Sequence, residues 1–296
     1  FLIKKIFFNI SDTYAYILTT IIFYYLTLNV LSLLFSSYIS FIFLILGWEF
    51  IMTSTTGGVE PVMCFLIALS ISCYLRNNVK SFLFLVSIAC LIKPFAVSIF
   101  GAYGLICLYK KNYIKILEIF LFFLGTIFLF FCLNYFLYDG SYLLVSDTYK
   151  TEAWMTNNKD YNYPLLTFIK AFLTNPQEYK IDFVAKVIFY MLIVLASLVL
   201  CILNLKKILN DKKNEILFFS ILIYFLIIIF YPSMYSYYEF VRFITPILPF
   251  SIYLVFSVFK FENKFYLKKK IVVYFLLIFS SIFYSFANFG IKSSLL

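Results

Sequence analysis

The sequence predicts an all-α protein, a polytopic transmembrane helical bundle, and three observations carry that prediction. Hydrophobic residues make up 64% of the 296-residue chain and charged residues only 13%, about half of the roughly 25% charge of a soluble domain. Mean hydropathy is +0.98. Apolar runs near the roughly 20 residues needed to cross a bilayer recur from end to end, separated by short lysine-bearing turns.

Taken in order, the apolar runs place spans from Thr13 to Leu28, Leu31 to Met52, Pro61 to Leu75, Ser81 to Ile92 and Phe95 to Leu108. Further spans run from Ile116 to Leu137, Phe183 to Leu203, Ile216 to Phe230, Val241 to Phe259 and Ile271 to Phe289. That makes about ten helices in a single transmembrane domain over 1–296. The stretch from Ser81 to Leu108 fits one long kinked helix or two short ones turning at Lys93 and Pro94. Charge arbitrates, because Arg76 and Lys80 precede it, Lys110, Lys111 and Lys115 follow it, and positive clusters belong on the cytoplasmic side. An even number of passes is required, so the hairpin is expected.

With the hairpin, the basic turns at 76–80, 110–115, 206–213 and 260–270 all fall on one side. Lys4, Lys5, Lys93, Lys186, Arg242 and Lys292 run against that pattern. The opposite, outer side then holds 53–60, the Lys93 turn, an extracytoplasmic loop over 138–182 and the segment 231–240. Inside the long loop, Pro164 precedes Leu165, Leu166, Phe168, Ile169, Phe172 and Leu173, an apolar stripe of helical period. It reads as an interfacial amphipathic helix that stops at Asn175 and Pro176.

Composition also excludes chemistry. There is no histidine, which removes Ser-His triads, His-metal sites and imidazole acid-base catalysis. The six cysteines all lie in apolar segments at neither metal-ligand nor disulfide spacing, and read as small buried hydrophobes. Net charge is +10, but its lysines are spent on membrane orientation, so no nucleic-acid partner is implied. Forty Phe and 26 Tyr match the drift of an AT-rich coding sequence, and aromatic richness carries no functional weight. The chain opens on Phe1 without signal-peptide features, and an upstream segment is expected.

Three places hold candidate chemistry. Glu60 stands before Pro61 at the start of a short helix, after Gly57 and Gly58; it is either an acid favoured by the helix dipole or a carboxylate that binds a sugar or assists a metal. Lys93 is either a snorkelling lysine or a point cation for a lipid phosphate. Arg242 follows Tyr235, Tyr237, Tyr238 and Glu239 and precedes Pro246 and Pro249. Here an interfacial aromatic belt with a Glu239–Arg242 pair competes with phosphate recognition by the guanidinium fork. The loop acids Asp139, Asp147, Glu152 and Asp160 support no site assignment.

The run Gly57-Gly-Val-Glu-Pro, a short helix, Arg76, another helix, Leu91-Ile-Lys93-Pro94, a further helix and Lys110-Lys111, with Arg242, Pro246 and Pro249 late in the chain, resembles the GT-C superfamily of polytopic glycosyltransferases. The resemblance implies transfer of a sugar from a polyprenyl-phosphate carrier to a glycan, lipid or protein acceptor on the outer face of a membrane, with inversion at the anomeric carbon. It implies lipid-phosphate binding by Lys93 and Arg242 and sugar or acceptor binding by Glu60, Tyr238 and Glu239. The catalytic Asp of such enzymes precedes the helices found here, so the catalytic base is expected upstream of Phe1. No cofactor is assigned; a divalent metal is the one candidate. The expected location is the bacterial inner membrane, as a multi-pass protein in contact with membrane lipid. The alternatives are an O-antigen polymerase or ligase, disfavoured by the lack of arginine in 138–182, and a noncatalytic transporter or flippase component, disfavoured by the lack of paired broken helices in both halves.

Overall fold

A computed structural model describes residues 12–46, 50, 59–137, 181–230 and 243–260. Among the described residues all regular structure is helical. The helices are α1 (Asp12–Leu34), α2 (Ser37–Leu46), α3 (Glu60–Leu75), α4 (Val79–Ile92), α5 (Val97–Tyr109), α6 (Tyr113–Leu137), α7 (Ile181–Leu203), α8 (Leu205–Asn210), α9 (Lys212–Phe230) and α10 (Leu248–Lys260). Short 3-10 turns at Pro94–Ala96 and Thr245–Ile247 lead into α5 and α10.

Several starts lie earlier than hydropathy indicates, for one shared reason. The Asn78 side chain accepts from Ser81 N at 3.2 Å, Asn112 from Lys115 N at 3.3 Å, and Asp211 from Lys213 N at 2.8 Å. Each satisfies an amide that has no partner inside the helix, so α4, α6 and α9 begin in polar first turns. The break expected after Leu28 lies instead after Leu34. A single Asn29 costs a helix interior only about 0.7 kcal/mol, and Ser36 supplies the cap for the next helix, its Oγ accepting from Ile39 N at 3.4 Å. The loop expected over 138–182 ends sooner, since α7 begins at Ile181.

The chain turns at Lys93. Lys93 is extended (φ −150°, ψ 117°) and closes α4. The Phe82 ring, in the first turn of α4, lies 5.2 Å from Tyr103 of α5, and Tyr74 of α3 lies 5.5 Å from the same ring. A single straight helix would hold residues 82 and 103 about 32 Å apart, so α4 and α5 run antiparallel. The α3–α4 and α5–α6 links repeat one another: Asn77 (φ 61°) and Lys111 (φ 54°) are left-handed. Asn78 N donates to Cys73 O at 3.0 Å and Asn112 N to Cys107 O at 2.8 Å, so each helix ends in the six-to-one closure of a Schellman turn.

These turns give the bundle two chemically distinct ends. At one, Glu60 at the start of α3 meets Lys93 at the end of α4. At the other, lysines of α9 close neighbouring helices: Lys212 Nζ donates to Tyr74 O at 2.7 Å and Lys213 Nζ to Leu34 O at 2.6 Å, satisfying carbonyls of the last turns of α3 and α1. Lys213 also lies over Phe35 and Tyr253, 5.4 and 5.0 Å from their centroids. The sixteen residues of α3 separate the ends by about 24 Å.

Between the ends the core is apolar. Gly101 lets α5 approach α9 so closely that a Cβ there would stand 3.1 Å from Ile223 Cδ1. Among the described residues two helices, Ile17–Leu34 and Tyr113–Phe136, are long and apolar enough to cross a membrane; Glu60–Leu75, Val79–Ile92, Pro94–Tyr109, Ile188–Leu203 and Thr245–Val258 are apolar but shorter. Only 11% of the apolar window of α6 is buried, leaving Ile114, Phe128 and Phe136 exposed. Among the described residues nothing covers that face, and a long run of exposed large apolar side chains marks a membrane or protein interaction surface. The amphipathic helix expected after Pro164 and the span expected from Ile271 to Phe289 lie outside the described residues.

Candidate functional site

The site is built from a helix start, a helix end and an aromatic floor. Pro61 has no amide hydrogen and a fixed φ, so it suits the first turn of α3 and sets Glu60 at the helix N-terminus. Pro94 bars the preceding residue from helical geometry, which ends α4 and makes Lys93 an extended corner. The two side chains meet: Lys93 Nζ lies 2.7 Å from Glu60 Oε1. Glu60 has no exposed side-chain surface and Lys93 retains 11%.

Two rings flank the ammonium. Its nitrogen lies 4.8 Å from the centroid of Phe243 and 5.8 Å from that of Phe95, within the range where the ring quadrupole attracts a cation. Phe95 and Phe243 pack edge to face at 5.1 Å. Beneath them the buried Tyr224 hydroxyl of α9 donates to Phe243 O at 2.9 Å, and Phe95 lies 6.0 Å from its ring. Cys64 Sγ lies 3.7 Å from Pro246 O and Thr27 Oγ1 donates to Pro61 O at 3.2 Å. Both contacts tie α3 to its neighbours around the pair.

A buried ion pair is retained at a cost. Removing two charges from water costs several kcal/mol each, and the attraction between them roughly offsets this when geometry is good. The helix dipole of α3 favours a negative charge at Glu60. An acid and a lysine held in an apolar bundle are therefore a costly, specific feature, which singles them out as a functional candidate.

Of the residues proposed from sequence, Glu60 and Lys93 are brought together, 33 positions apart in the chain. Lys93 therefore does not stand alone, and Glu60 lies buried against it. Tyr238, Glu239 and Arg242 lie outside the described residues, although Arg242 directly precedes Phe243 in the chain. Phe95, Tyr224 and Phe243 belong to the site and were not singled out by sequence. In a chain with 40 Phe and 26 Tyr no pattern distinguishes them. Among the described residues no group of three His, Cys, Asp or Glu gathers as a metal site. No protein-family model, no curated protein and no solved structure matches the chain.

Proposed function

We propose that this chain is the carrier-binding part of a multi-pass membrane glycosyltransferase of the GT-C type, acting on a sugar linked to a polyprenyl phosphate. The buried Glu60–Lys93 pair at the end of the bundle away from its lysine-rich turns carries the proposal. In this reading the spans are those expected from hydropathy, about ten, with the uncovered face of α6 against lipid. Lys93 is the cation that meets the carrier phosphate, Glu60 is its positioning partner, and Arg242, next to Phe243, adds a second cation. A divalent metal is the one candidate cofactor.

Chemically, the leaving group of such a transfer is a lipid phosphate, whose charge grows as the anomeric bond breaks. A fixed cation in a low-dielectric pocket stabilises that charge without reorganisation. Glu60 holds Lys93 directed until the phosphate shares it. The competing reading is a noncatalytic membrane protein in which the pair only fastens α3 to α4; its support is the short, closed 2.7 Å contact.

Binding of a polyisoprenyl phosphate, compared with the same polyisoprenol lacking the phosphate, separates the two. With the full chain in neutral-lipid nanodiscs, the proposal expects preference for the phosphate, reduced about tenfold or more by Lys93→Gln. Equal affinity for alcohol and phosphate would favour the structural clamp.

A further inference from the structure

The lysine-rich end of the bundle holds a cavity of about 310 Å³ with charged groups in its wall. It lies between the ends of α3, α5 and α9, about 24 Å from the Glu60–Lys93 pair by the length of α3. Lys110, Lys115, Lys212 and Glu215 line it with the rings of Tyr74 and Tyr103. Lys110 Nζ lies 2.5 Å from Glu215 Oε2. Glu215 has no exposed side-chain surface, and its second carboxylate oxygen, Oε1, is buried with no hydrogen-bond partner. A buried carboxylate oxygen without a donor keeps its desolvation cost uncompensated.

Charge there is also out of balance. Three ammoniums against one carboxylate leave a net of +2 on the cavity wall. Among the described residues Lys115 has no ion-pair partner. Lys212 is pushed below its ordinary pKa by burial and then by the neighbouring Lys115 and Lys110. Its own hydrogen bonds go to Tyr74 O and Asn77 Oδ1, both uncharged.

We propose that this cavity is a second binding site, which takes a phosphomonoester bearing a neighbouring hydroxyl or ammonium group. The phosphate, with a charge of roughly −1.5 to −2 at neutral pH, balances the wall, whereas a phosphodiester leaves one ammonium uncompensated. The adjacent hydroxyl or ammonium donates to Glu215 Oε1. Lys115 and Lys212 contact the phosphate from either side, and Lys110 bridges it to Glu215. The volume is ample for a phosphate with several hydroxyl-bearing carbons. Two sources share this chemistry: a lipid with a terminal phosphate entering from the membrane, and a soluble sugar or polyol phosphate entering from water. The site does not rest on the glycosyltransferase reading, since none of its residues belongs to the Glu60–Lys93 pair.

The test uses the full chain in phosphatidylcholine nanodiscs, with short-chain lysophosphatidic acid, which keeps a free hydroxyl beside its phosphate, and glycerol phosphate as separate probes. Saturable binding of either supports the site and identifies the source, and Lys115→Gln is expected to weaken it about tenfold while Lys115→Arg restores it. Lys115 makes no ion pair among the described residues, so its loss spares the fold. Saturable binding of neither probe, or affinity unaltered by Lys115→Gln, overturns the proposal.

Discussion

Removing one member of the Glu60–Lys93 pair should destabilise the bundle far more than removing both. At 2.7 Å the attraction is about 6 kcal/mol for an effective dielectric constant near 20. The closer ring, Phe243 at 4.8 Å, adds about 1 kcal/mol. Against this stand the desolvation costs of both ions, several kcal/mol each. The pair is therefore worth little net, but a lone survivor keeps its desolvation cost after losing the partner at 2.7 Å. Glu60→Met and Lys93→Met are each expected to cost about 3–5 kcal/mol, and the double variant about 1 kcal/mol. Met suits the test because it has similar length and makes favourable contacts with the flanking rings. Reversible unfolding in mixed micelles measures all four proteins. Additivity within about 0.5 kcal/mol, or single costs below about 1 kcal/mol, would refute the claim that the pair is buried and coupled.

Other predictions follow from the same contacts. Tyr224→Phe removes the donor to Phe243 O and should cost about 1–3 kcal/mol in the same unfolding measurement. Lys111→Gly should stabilise by about 0.5–1 kcal/mol, because a left-handed φ of 54° strains lysine and not glycine. Lys212 has a lowered folded-state pKa, caused first by burial and then by Lys115 and Lys110, against an ordinary value of 10.5. Below the lowered pKa the folded state bears the full penalty of keeping it charged; between that pKa and 10.5 the penalty is relieved. The melting temperature of the native chain relative to Lys212→Met should therefore rise with pH across that alkaline window, and a flat difference would contradict the assignment.

How much of this was legible in the sequence depends on which force sets each feature. Among the described residues helices fall close to where apolar run length places them, because burial of apolar segments dominates their stability. The hairpin at Lys93 also followed, from charge placement and the conformational demands of Pro94. Helix starts at Val79, Tyr113 and Lys212 did not, because side-chain caps from Asn78, Asn112 and Asp211 extend helices into polar turns that hydropathy discards. Asn29 looked like a break and is not one, since helix propensity is weak against packing. Glu60 and Lys93 each stood out alone as charges out of place. Their pairing across 33 residues is a long-range contact that one sequence cannot reveal. The lysines near 110 and 212 were read as orientation signals, yet they also close helix ends and line a cavity around the buried Glu215.

In the proposed topology the two ends of the bundle lie on opposite faces of a membrane. Pro94 and Lys111, at those two ends, are both exposed, so each can carry a single reporter in a chain whose native cysteines are replaced. Intact cells expressing Pro94→Cys or Lys111→Cys would be treated with a membrane-impermeant maleimide before and after lysis. Labelling is expected at position 94 from outside intact cells and at position 111 only after lysis. Equal labelling of both positions in intact cells, or of neither until lysis, would contradict it.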